Sequence, residues 1–425
     1  MTVSRLLPLA LAALCFGGCP SDNTSGGDDG GGNDLSCNPL SPCNDLGVRD
    51  SAVLVDQAAF DLTPDAAHAP SHGLYFYLTS ANPTNAVSGF AMDPVAGGGA
   101  LINENPTDGG AVGALRTGLN PLSATATADG RFLYVPNDGD STISAYAIDA
   151  ATGRLTRLDA DAVTAGVQDF PAGVETHPTS LAIDAAGAYL YTANSVSNDV
   201  SAFAIDHATG AVTAVGAAVP AGDSPRRVVL DATGTLLFSI NNGGPSVSVY
   251  AVAAGVLTRV DQDGVTAGVQ DFTGVGRGVI FAATHPAKRV LYVTAPQDNA
   301  LDALSFTNGG VLSALAAVPA GTFPIGVAVD PSGSYLYTAN FGSTWMSGYS
   351  LDAAGAPTAL PNTTTLLQGR ALTFSPGGAF AYLYCDTGGL YSFALDGKTG
   401  TLTAGPTVAT GTIGTYEIGV ASTTY

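Results

Sequence analysis

The stretch Gly187-Ala-Tyr-Leu-Tyr-Thr-Ala-Asn194 decides the fold, because its pattern of glycine, apolar residues, a central aromatic residue and asparagine recurs along the chain. Dense apolar and aromatic residues over so short a run predict a buried β-strand. Four runs have the full pattern and three weaker copies centre on Tyr77, Tyr292 and Tyr382. The seven lie 45 to 57 residues apart, so the chain is built from seven related units. The central aromatic residues of these runs are Tyr77, Tyr134, Tyr191, Phe238, Tyr292, Tyr337 and Tyr382.

The residues around each run repeat as well. An apolar strand precedes the run and ends in a turn such as Asp184-Ala-Ala-Gly187, where Asp bonds to the backbone and Gly takes a positive φ. An alternating strand such as Val200-Ser-Ala-Phe-Ala-Ile205 follows, then a second turn and a short fourth strand. Four antiparallel strands in about 50 residues, repeated seven times, predict an all-β, seven-bladed β-propeller. We name the strands of each blade A to D in chain order.

The end of the chain predicts how the ring closes. Residues Gly414–Ala421 match Gly321–Ala328, which contain the A strand of the sixth unit, in six of eight positions. The first unit has clear B and C strands but a poor A strand. We therefore predict that the C-terminal strand completes the first blade, which removes the exposed edges of an open sheet. The alternative is that Ala58–Leu62 supplies that strand.

One longer duplication lies within the repeats. The segment Val163–Phe170 recurs verbatim at Val265–Phe272, a distance of two blades. It predicts the same long D-to-A loop after blades 2 and 4.

The N-terminal residues predict export. Leu6–Phe16 is an apolar run of 11 residues, too short for a membrane-spanning helix and typical of a signal peptide. The following Phe16-Gly-Gly-Cys19 resembles a bacterial lipobox, so we expect lipidation at Cys19; an ordinary cleaved signal with an incidental Cys is the alternative. The expected location is the cell envelope, as an outer-membrane or surface lipoprotein.

The remaining boundaries follow from composition. Residues 20–35 are mostly Gly, Asp, Ser and Asn and predict a flexible tether. In residues 36–56, Cys37 and Cys43 flank a turn-rich loop and predict a small disulfide in an oxidising compartment. The sequence thus divides into a signal peptide (1–19), the tether, this leader and the propeller (57–425).

Charge limits the partners. The chain has 35 acidic and 14 basic residues, a net charge of −21, which argues against binding nucleic acid or an anionic membrane surface. We expect membrane contact only through the lipid anchor, and a monomer. No metal or other cofactor is expected, because the acidic turns around Asp159 and Asp261 do not form a complete calcium-binding loop.

The repeated Leu-Tyr-x-x-Asn line, with its turns and strand spacing, resembles the YVTN-type propellers and the lactonase family built like bacterial 6-phosphogluconolactonase. The resemblance covers about Leu74 to Ala421. It implies a ring closed by a C-terminal strand, and a lactone hydrolase as the parent activity. It also implies His at the start of certain A strands; Ser224-Pro-Arg-Arg227 has Arg227 there instead, and His177-Pro-Thr-Ser180 matches loosely.

Candidate site residues lie where D-to-A and B-to-C connections surround the mouth of the central channel. Arginines concentrated there would bind a carboxylate or phosphate; the alternative is that each pairs with an Asp of a neighbouring blade. These arginines are Arg116, Arg226, Arg227, Arg277 and Arg370.

Acid–base candidates lie on the same face. Glu175 or His177 would act as general base on water, and Arg226 and Arg370 would stabilise the oxyanion of an opening lactone. Glu417, on the closing strand, is a ligand-binding candidate.

The sequence also predicts the surroundings of several other side chains. Trp345, with Phe341 on a B-to-C connection, would stack on a sugar ring, or else pack within the blade. His207 and His285 map to turns and are expected to be solvated, whereas Cys385 is expected to be buried in a strand.

Two functions remain open. The favoured hypothesis is a lipid-anchored envelope propeller that binds a small acidic sugar or an envelope protein or polymer, and it predicts a mouth without a convergent acid–base pair. The alternative is a secreted lactone hydrolase acting on an acidic sugar lactone. It predicts His177 or Glu175 within reach of Arg226 and Arg370 around one pocket.

Overall fold

In the computed structural model, the described residues, all within Ala66–Tyr425, form short β-strands joined by turns. None of the helical segments described is long and apolar enough to cross a membrane. Cys19, Cys37 and Cys43 lie outside the described residues. The described ranges are 73–81, 84–102, 114–160, 169–173, 176–264, 268, 270–361, 363–364, 368–385, 389–410 and 418–422.

The strands form seven antiparallel sheets, one for each predicted blade, and the D strand is divided in two in blades 1, 2, 3 and 6. Blades 1 and 2 contain β1 (Leu74–Ser80), β2 (Ala86–Met92), β3 (Gly99–Leu101), β4 (Ala114–Arg116), β5 (Thr125–Ala126), β6 (Phe132–Asn137), β7 (Thr142–Ile148), β8 (Leu155–Arg157) and β9 (Phe170–Pro171). Blades 3 and 4 contain β10 (Pro178–Ile183), β11 (Tyr189–Asn194), β12 (Asp199–Ile205), β13 (Val212–Ala214), β14 (Val219–Pro220), β15 (Pro225–Leu230), β16 (Leu236–Asn241), β17 (Ser246–Ala253) and β18 (Val256–Val260).

Blades 5 to 7 follow the same order, and blade 5 adds a 3-10 turn at Pro296–Asp298. Blades 5 and 6 contain β19 (Ala282–Thr284), β20 (Val290–Ala295), β21 (Ala300–Phe306), β22 (Leu312–Pro319), β23 (Pro324–Val329), β24 (Tyr335–Asn340), β25 (Trp345–Leu351), β26 (Pro357–Ala359) and β27 (Thr363–Thr364). Blade 7 contains β28 (Gly369–Phe374), β29 (Phe380–Cys385), β30 (Gly389–Leu395) and β31 (Leu402–Ala409).

The last strand, β32 (Ile418–Ser422), closes the ring. It pairs antiparallel with β1, from Leu74 opposite Ser422 to Leu78 opposite Ile418. Because β2 occupies the other edge of β1, no edge remains there for Ala58–Leu62. The predicted closure is confirmed.

The central tyrosine of the repeated run connects neighbouring blades. In blades 1, 2, 5 and 6 this tyrosine is buried, and its hydroxyl donates to the carbonyl of a turn glycine in the next blade. That glycine has a positive φ and ends the turn between strands C and D. The pairs are Tyr77 with Gly153 (2.8 Å), Tyr134 with Gly210 (2.9 Å), Tyr292 with Gly355 (2.7 Å) and Tyr337 with Gly400 (2.5 Å).

The asparagine that ends the run organises the B-to-C turn. In blade 4, Asn241 Nδ2 donates to the hydroxyls of Ser246 (3.0 Å) and Ser248 (2.9 Å). The same Ser248 hydroxyl accepts from the backbone N–H of Gly222 in the D-to-A connection, at 2.9 Å. One buried amide therefore fixes both kinds of connection that meet at the channel mouth.

Two buried side chains test the sequence expectations further. Cys385 is buried in β29, as predicted. His285 was expected to be solvated, and that prediction is wrong, because only 2% of it is exposed. Its Nδ1 accepts from the N–H groups of Ala287 and Lys288, and its Nε2 lies 3.0 Å from the carbonyl of Gly333 in the next blade. His285 lies on a turn that would be exposed in an isolated blade, but in the ring the neighbouring blade covers it.

We predict that Tyr337→Phe lowers the free energy of unfolding by about 1 kcal/mol, because the carbonyl of Gly400 loses its buried donor. Tyr191→Phe is the matched control, since the buried Tyr191 hydroxyl has no hydrogen-bond partner among the described residues. Urea unfolding followed by fluorescence measures both. Equal loss in the two variants would contradict a stabilising role for the inter-blade hydrogen bond.

We also predict that His285 makes stability depend on pH. Burial lowers its pKa below the ordinary 6.5, so the folded protein holds the neutral ring while the unfolded chain takes up a proton. The stabilisation is complete above about pH 6.5 and is lost as the pH falls below it. We expect His285→Asn to flatten the fall in Tm between pH 7 and pH 5, and the exposed His207→Asn to leave it unchanged. An unaltered slope in His285→Asn would contradict this assignment.

Candidate active site at the channel mouth

A repeated hydrogen bond between blades shapes the channel mouth. The residue before the A strand, or in blade 2 the residue before the bridging Pro121, has a left-handed backbone, with φ between 50° and 55° in blades 2, 3, 4 and 6. Its N–H donates to a side chain on the B-to-C turn of the preceding blade, over 2.7 to 3.1 Å. Gly278 occupies the same place in blade 5, with φ +69°. We call Asn120, His177, Ser224, Gly278 and Phe323 the mouth ring.

The A strands begin with a β-bulge in four blades. The register shifts between Pro178 and Ser180 and at the equivalent places in blades 4, 6 and 7. Bulges redirect side chains and occur next to active sites. Two predicted arginines, Arg226 and Arg370, occupy this bulge position in blades 4 and 7.

The A strands of blades 3 to 7 enclose a cavity of about 410 Å³ in the channel. Arg227 lies in its wall, and its guanidinium carbon is 5.4 Å from the ring centre of Phe281 in the next blade. The other described residues of this wall carry no charge, and most of them are Ala, Val, Leu or Ile. The cavity therefore offers a cation and further polar atoms among apolar side chains, which suits a small anionic ligand.

His177 forms an acid–base pair between blades 2 and 3. Its Nδ1 lies 3.6 Å from Oδ1 of Asp138, and the other oxygen of Asp138 accepts from Nδ2 of Asn120 at 2.9 Å. The backbone of His177 is held on both sides, by the Ser141 hydroxyl at 3.1 Å and the Ser195 N–H at 3.0 Å. Its ring is 35% exposed. A ring that directs Nδ1–H toward the carboxylate leaves Nε2 as a proton acceptor.

The A strand that follows His177 contacts the A strand of blade 4, which carries Arg226 and Arg227. Thr179, two residues after His177, donates its hydroxyl to the carbonyl of Arg226 at 3.1 Å. The starts of these two A strands are therefore in contact. Among the described residues, however, the cavity wall includes Arg227 and neither His177 nor Arg226.

The remaining predicted residues are more dispersed. Arg277 forms an ion pair with Asp298 of its own blade, with Nε and Nη2 each 2.7 Å from Oδ1, and not with a neighbouring blade. Arg116 ends the outer strand β4 and is exposed. Trp345 is 37% exposed and is the first residue of the C strand β25, not a loop residue. Glu175 and Glu417 lie outside the described residues.

Arg370 lies at the mouth between blades 6 and 7. Its guanidinium carbon is 4.9 Å from the ring centre of Phe341, on the B-to-C turn of blade 6. Phe341 in turn lies edge-to-face with Phe323 of the mouth ring, at 6.4 Å between ring centres.

The two duplicated segments were predicted as D-to-A loops after blades 2 and 4, and many of their residues lie outside the described part of the chain. Their last residues pair with the C strand of the same blade: Phe170 lies in β9, which pairs with β7, and Phe272 bridges Val247. Each segment is closed by an Arg–Asp ion pair that spans twelve residues: Arg157 with Asp169 at 2.6 Å, and Arg259 with Asp271. The described residues contain no group of three or more His, Cys, Asp or Glu arranged for a metal ion.

Asp138 and Phe281 were not identified from the sequence. Asp138 directly follows the asparagine of its repeat, a position that in blades 2, 4 and 6 contacts the next blade. Aligning the seven repeats at that position would have indicated its importance.

Comparison with known proteins supports this fold. A family model described as "Lactonase, 7-bladed beta-propeller" matches residues 115–272 and 267–371, more than half of the chain. A 6-phosphogluconolactonase of Formosa agariphila is 25% identical over 304 residues, 68% of this chain and 79% of the relative. One of Pectobacterium carotovorum is 29% identical over 136 residues, 32% of this chain and 39% of the relative. The chain spans about two fifths of the length of the two Pectobacterium relatives it matches.

Solved structures show the same fold at lower identity. A putative 6-phosphogluconolactonase from Bacteroides fragilis has a TM-score of 0.65 at 17% identity, covering 84% of this chain and 99% of that one. The periplasmic gluconolactonase of Pseudomonas aeruginosa has a TM-score of 0.63 at 20% identity, covering 83% and 100%.

We predict that the inter-blade hydrogen bond to Phe323 is stabilising. Oδ1 of Asn299, itself at φ +51°, accepts from the Phe323 N–H at 2.8 Å. Asn299→Gly keeps the left-handed backbone accessible and removes the acceptor, at a cost of about 1 kcal/mol. Asn299→Ala removes the acceptor and adds backbone strain, so we expect it to be the less stable variant in urea unfolding. An Ala variant as stable as the Gly variant would contradict the prediction.

Proposed function

We propose, from the premise that this chain belongs to the lactonase family of seven-bladed β-propellers, that it hydrolyses the ester bond of an acidic sugar lactone at the channel mouth. The observation that carries the proposal is the His177–Asp138 pair. A pure binding module was expected to have no convergent acid–base pair at the mouth, so this pair supports the hydrolase, although it does not line the cavity that contains Arg227.

The proposed chemistry uses water as the nucleophile. Nε2 of His177 accepts a proton from water as the oxygen adds to the lactone carbonyl carbon. The carbon–oxygen bond of the ring ester then breaks, and the proton passes from His177 to the departing ring oxygen. The product is the open hydroxy acid, and Asp138 stabilises the transient imidazolium.

The arginines would supply charge stabilisation and binding. Arg227 in the cavity wall is the candidate for holding the carboxylate or phosphate of an acidic lactone. Arg226, at the bulge position of blade 4 beside blade 3, is the candidate for stabilising the oxyanion, whereas Arg370, at the bulge position of blade 7, lies across the mouth from His177. The names of the relatives, 6-phosphogluconolactonase and periplasmic gluconolactonase, are consistent with such a substrate. The predicted signal peptide and Cys19 lipidation would place this activity in the cell envelope.

A binding module remains the second candidate, because one observation favours it. Arg227 is the charged residue of the described cavity wall, and it stands where the family resemblance implies His. Such a mouth would retain an acidic sugar, or a charged group of an envelope protein or polymer, without turnover.

Rates of lactone opening in a pH-stat, corrected for spontaneous hydrolysis, test the proposal on glucono-δ-lactone and its 6-phosphate. We expect His177→Gln to lower kcat by roughly 10² to 10⁴-fold, the range for a general base. Arg227→Ala should mainly raise KM for the phosphorylated lactone, and His207→Gln is the control that leaves both parameters unchanged. A thermal shift with gluconic acid but no lactone opening would overturn the hydrolase and support the binding module.

A further inference from the structure

Phe323 is an unusual residue at its position. It lies in the mouth ring with φ +52°, where blades 2, 3, 4 and 5 place Asn120, His177, Ser224 and Gly278. Bulky side chains seldom adopt a left-handed backbone, whereas Asn and Gly adopt it readily. A strained residue in a cleft is a reason to look for a functional role.

The surroundings of Phe323 form an aromatic surface beside a cation. Phe323 and Phe341 lie edge-to-face with their planes at 62°, and the Phe341 N–H donates to the Phe323 carbonyl at 2.9 Å. Arg370 lies against Phe341. Both aromatic rings are only partly buried, so part of each remains accessible at the mouth.

This aromatic surface and the His177–Asp138 pair lie on opposite sides of the mouth. The pair joins blades 2 and 3, whereas the aromatic surface joins blades 6 and 7. Blades 7, 1 and 2 separate the two on the shorter way around the ring.

We propose that Phe323, Phe341 and Arg370 form a second sugar subsite, which binds the non-reacting ring of a disaccharide lactone whose lactone ring lies at His177. This inference rests on the proposed function. One face of a pyranose ring presents C–H groups and packs well on aromatic rings, while its hydroxyls accept hydrogen bonds from a guanidinium. The preferred substrate is therefore an aldonolactone that carries a second, glycosidically linked sugar.

Two lactones that differ by one sugar test the subsite: glucono-δ-lactone, and the same lactone with a β-1,4-linked glucose. We expect kcat/KM to be about tenfold higher for the disaccharide lactone, which corresponds to about 1.4 kcal/mol. Phe323→Asn and Phe341→Ala should remove this preference and leave the rate with glucono-δ-lactone within about twofold. Loss of activity with both lactones to the same extent would overturn the subsite.

A stability measurement separates a binding role from a structural one. Asn is the residue that blade 2 places at this backbone position, so Phe323→Asn is expected to retain the Tm of the parent protein. A merely structural Phe323 would instead lower Tm together with both rates. Leu119→Ala is the matched control, because Leu119 is a 54% exposed apolar residue beside Asn120 in blade 2 and lies outside the proposed subsite.

Binding of the product acids distinguishes failure of the subsite from failure of the hydrolase. Calorimetric titration with gluconic acid and with the corresponding disaccharide acid needs no turnover. Tighter binding of the disaccharide acid that disappears in Phe341→Ala supports the subsite even if no lactone is opened. Lactone opening with equal affinity for the two acids overturns the subsite and leaves the proposed function intact. Failure to bind either acid, without turnover, overturns both.

Discussion

The hydrogen bond from a B-strand tyrosine to a turn glycine of the next blade is the interaction on which this ring depends. Each blade is a twisted sheet whose faces are apolar, and apolar contact alone does not fix how one sheet is placed on the next. A buried hydroxyl such as that of Tyr337 adds direction, because its only good geometry is toward one carbonyl. The accepting turn places a glycine at positive φ, so blade spacing and turn conformation are determined together.

Directional hydrogen bonds also determine the structure of the channel mouth. In blades 2, 3, 4 and 6 a buried asparagine at the end of the B strand bonds to the start of the C strand and fixes the B-to-C turn. In blades 2 and 3 that turn also supplies a side-chain acceptor to the start of the next A strand. The mouth ring consequently repeats the same backbone geometry in successive blades while its side chains differ. The backbone conformation of the mouth ring is therefore constant while the chemical character of its side chains differs. His177 and Phe323 accordingly occupy equivalent positions and contact different partners.

The sequence predicted what depends on local pattern. Strand runs, Asp–Gly turns and the match between Gly414–Ala421 and Gly321–Ala328 depend on side-chain period and turn chemistry, and they led to seven blades and to the closing strand. It did not predict what depends on contact between blades. His285 was assigned to solvent because its bonding partner, Gly333, is in another blade, and Asp138 was overlooked because the ring that it faces is 39 residues away. The bulges at Arg226 and Arg370 require the strand register, which hydrophobic periodicity does not supply.

Arg227 shows how a shared frame permits a change of chemistry. Replacing the expected imidazole by a guanidinium at this A-strand position removes a proton acceptor and adds a permanent cation to a wall whose other side chains are uncharged. The histidine of the described mouth is His177, which belongs to the preceding blade and lies three positions earlier in the A-strand alignment. The carboxylate of Asp138 lies beside it. A reaction at this mouth would consequently place the attacking water near blade 3 and the anionic group of the substrate near blade 4. The hydrogen bond from Thr179 to the Arg226 carbonyl keeps these two A strands adjacent. The position of the base His177 is therefore linked to that of the cation Arg227 through the backbones of the two strands.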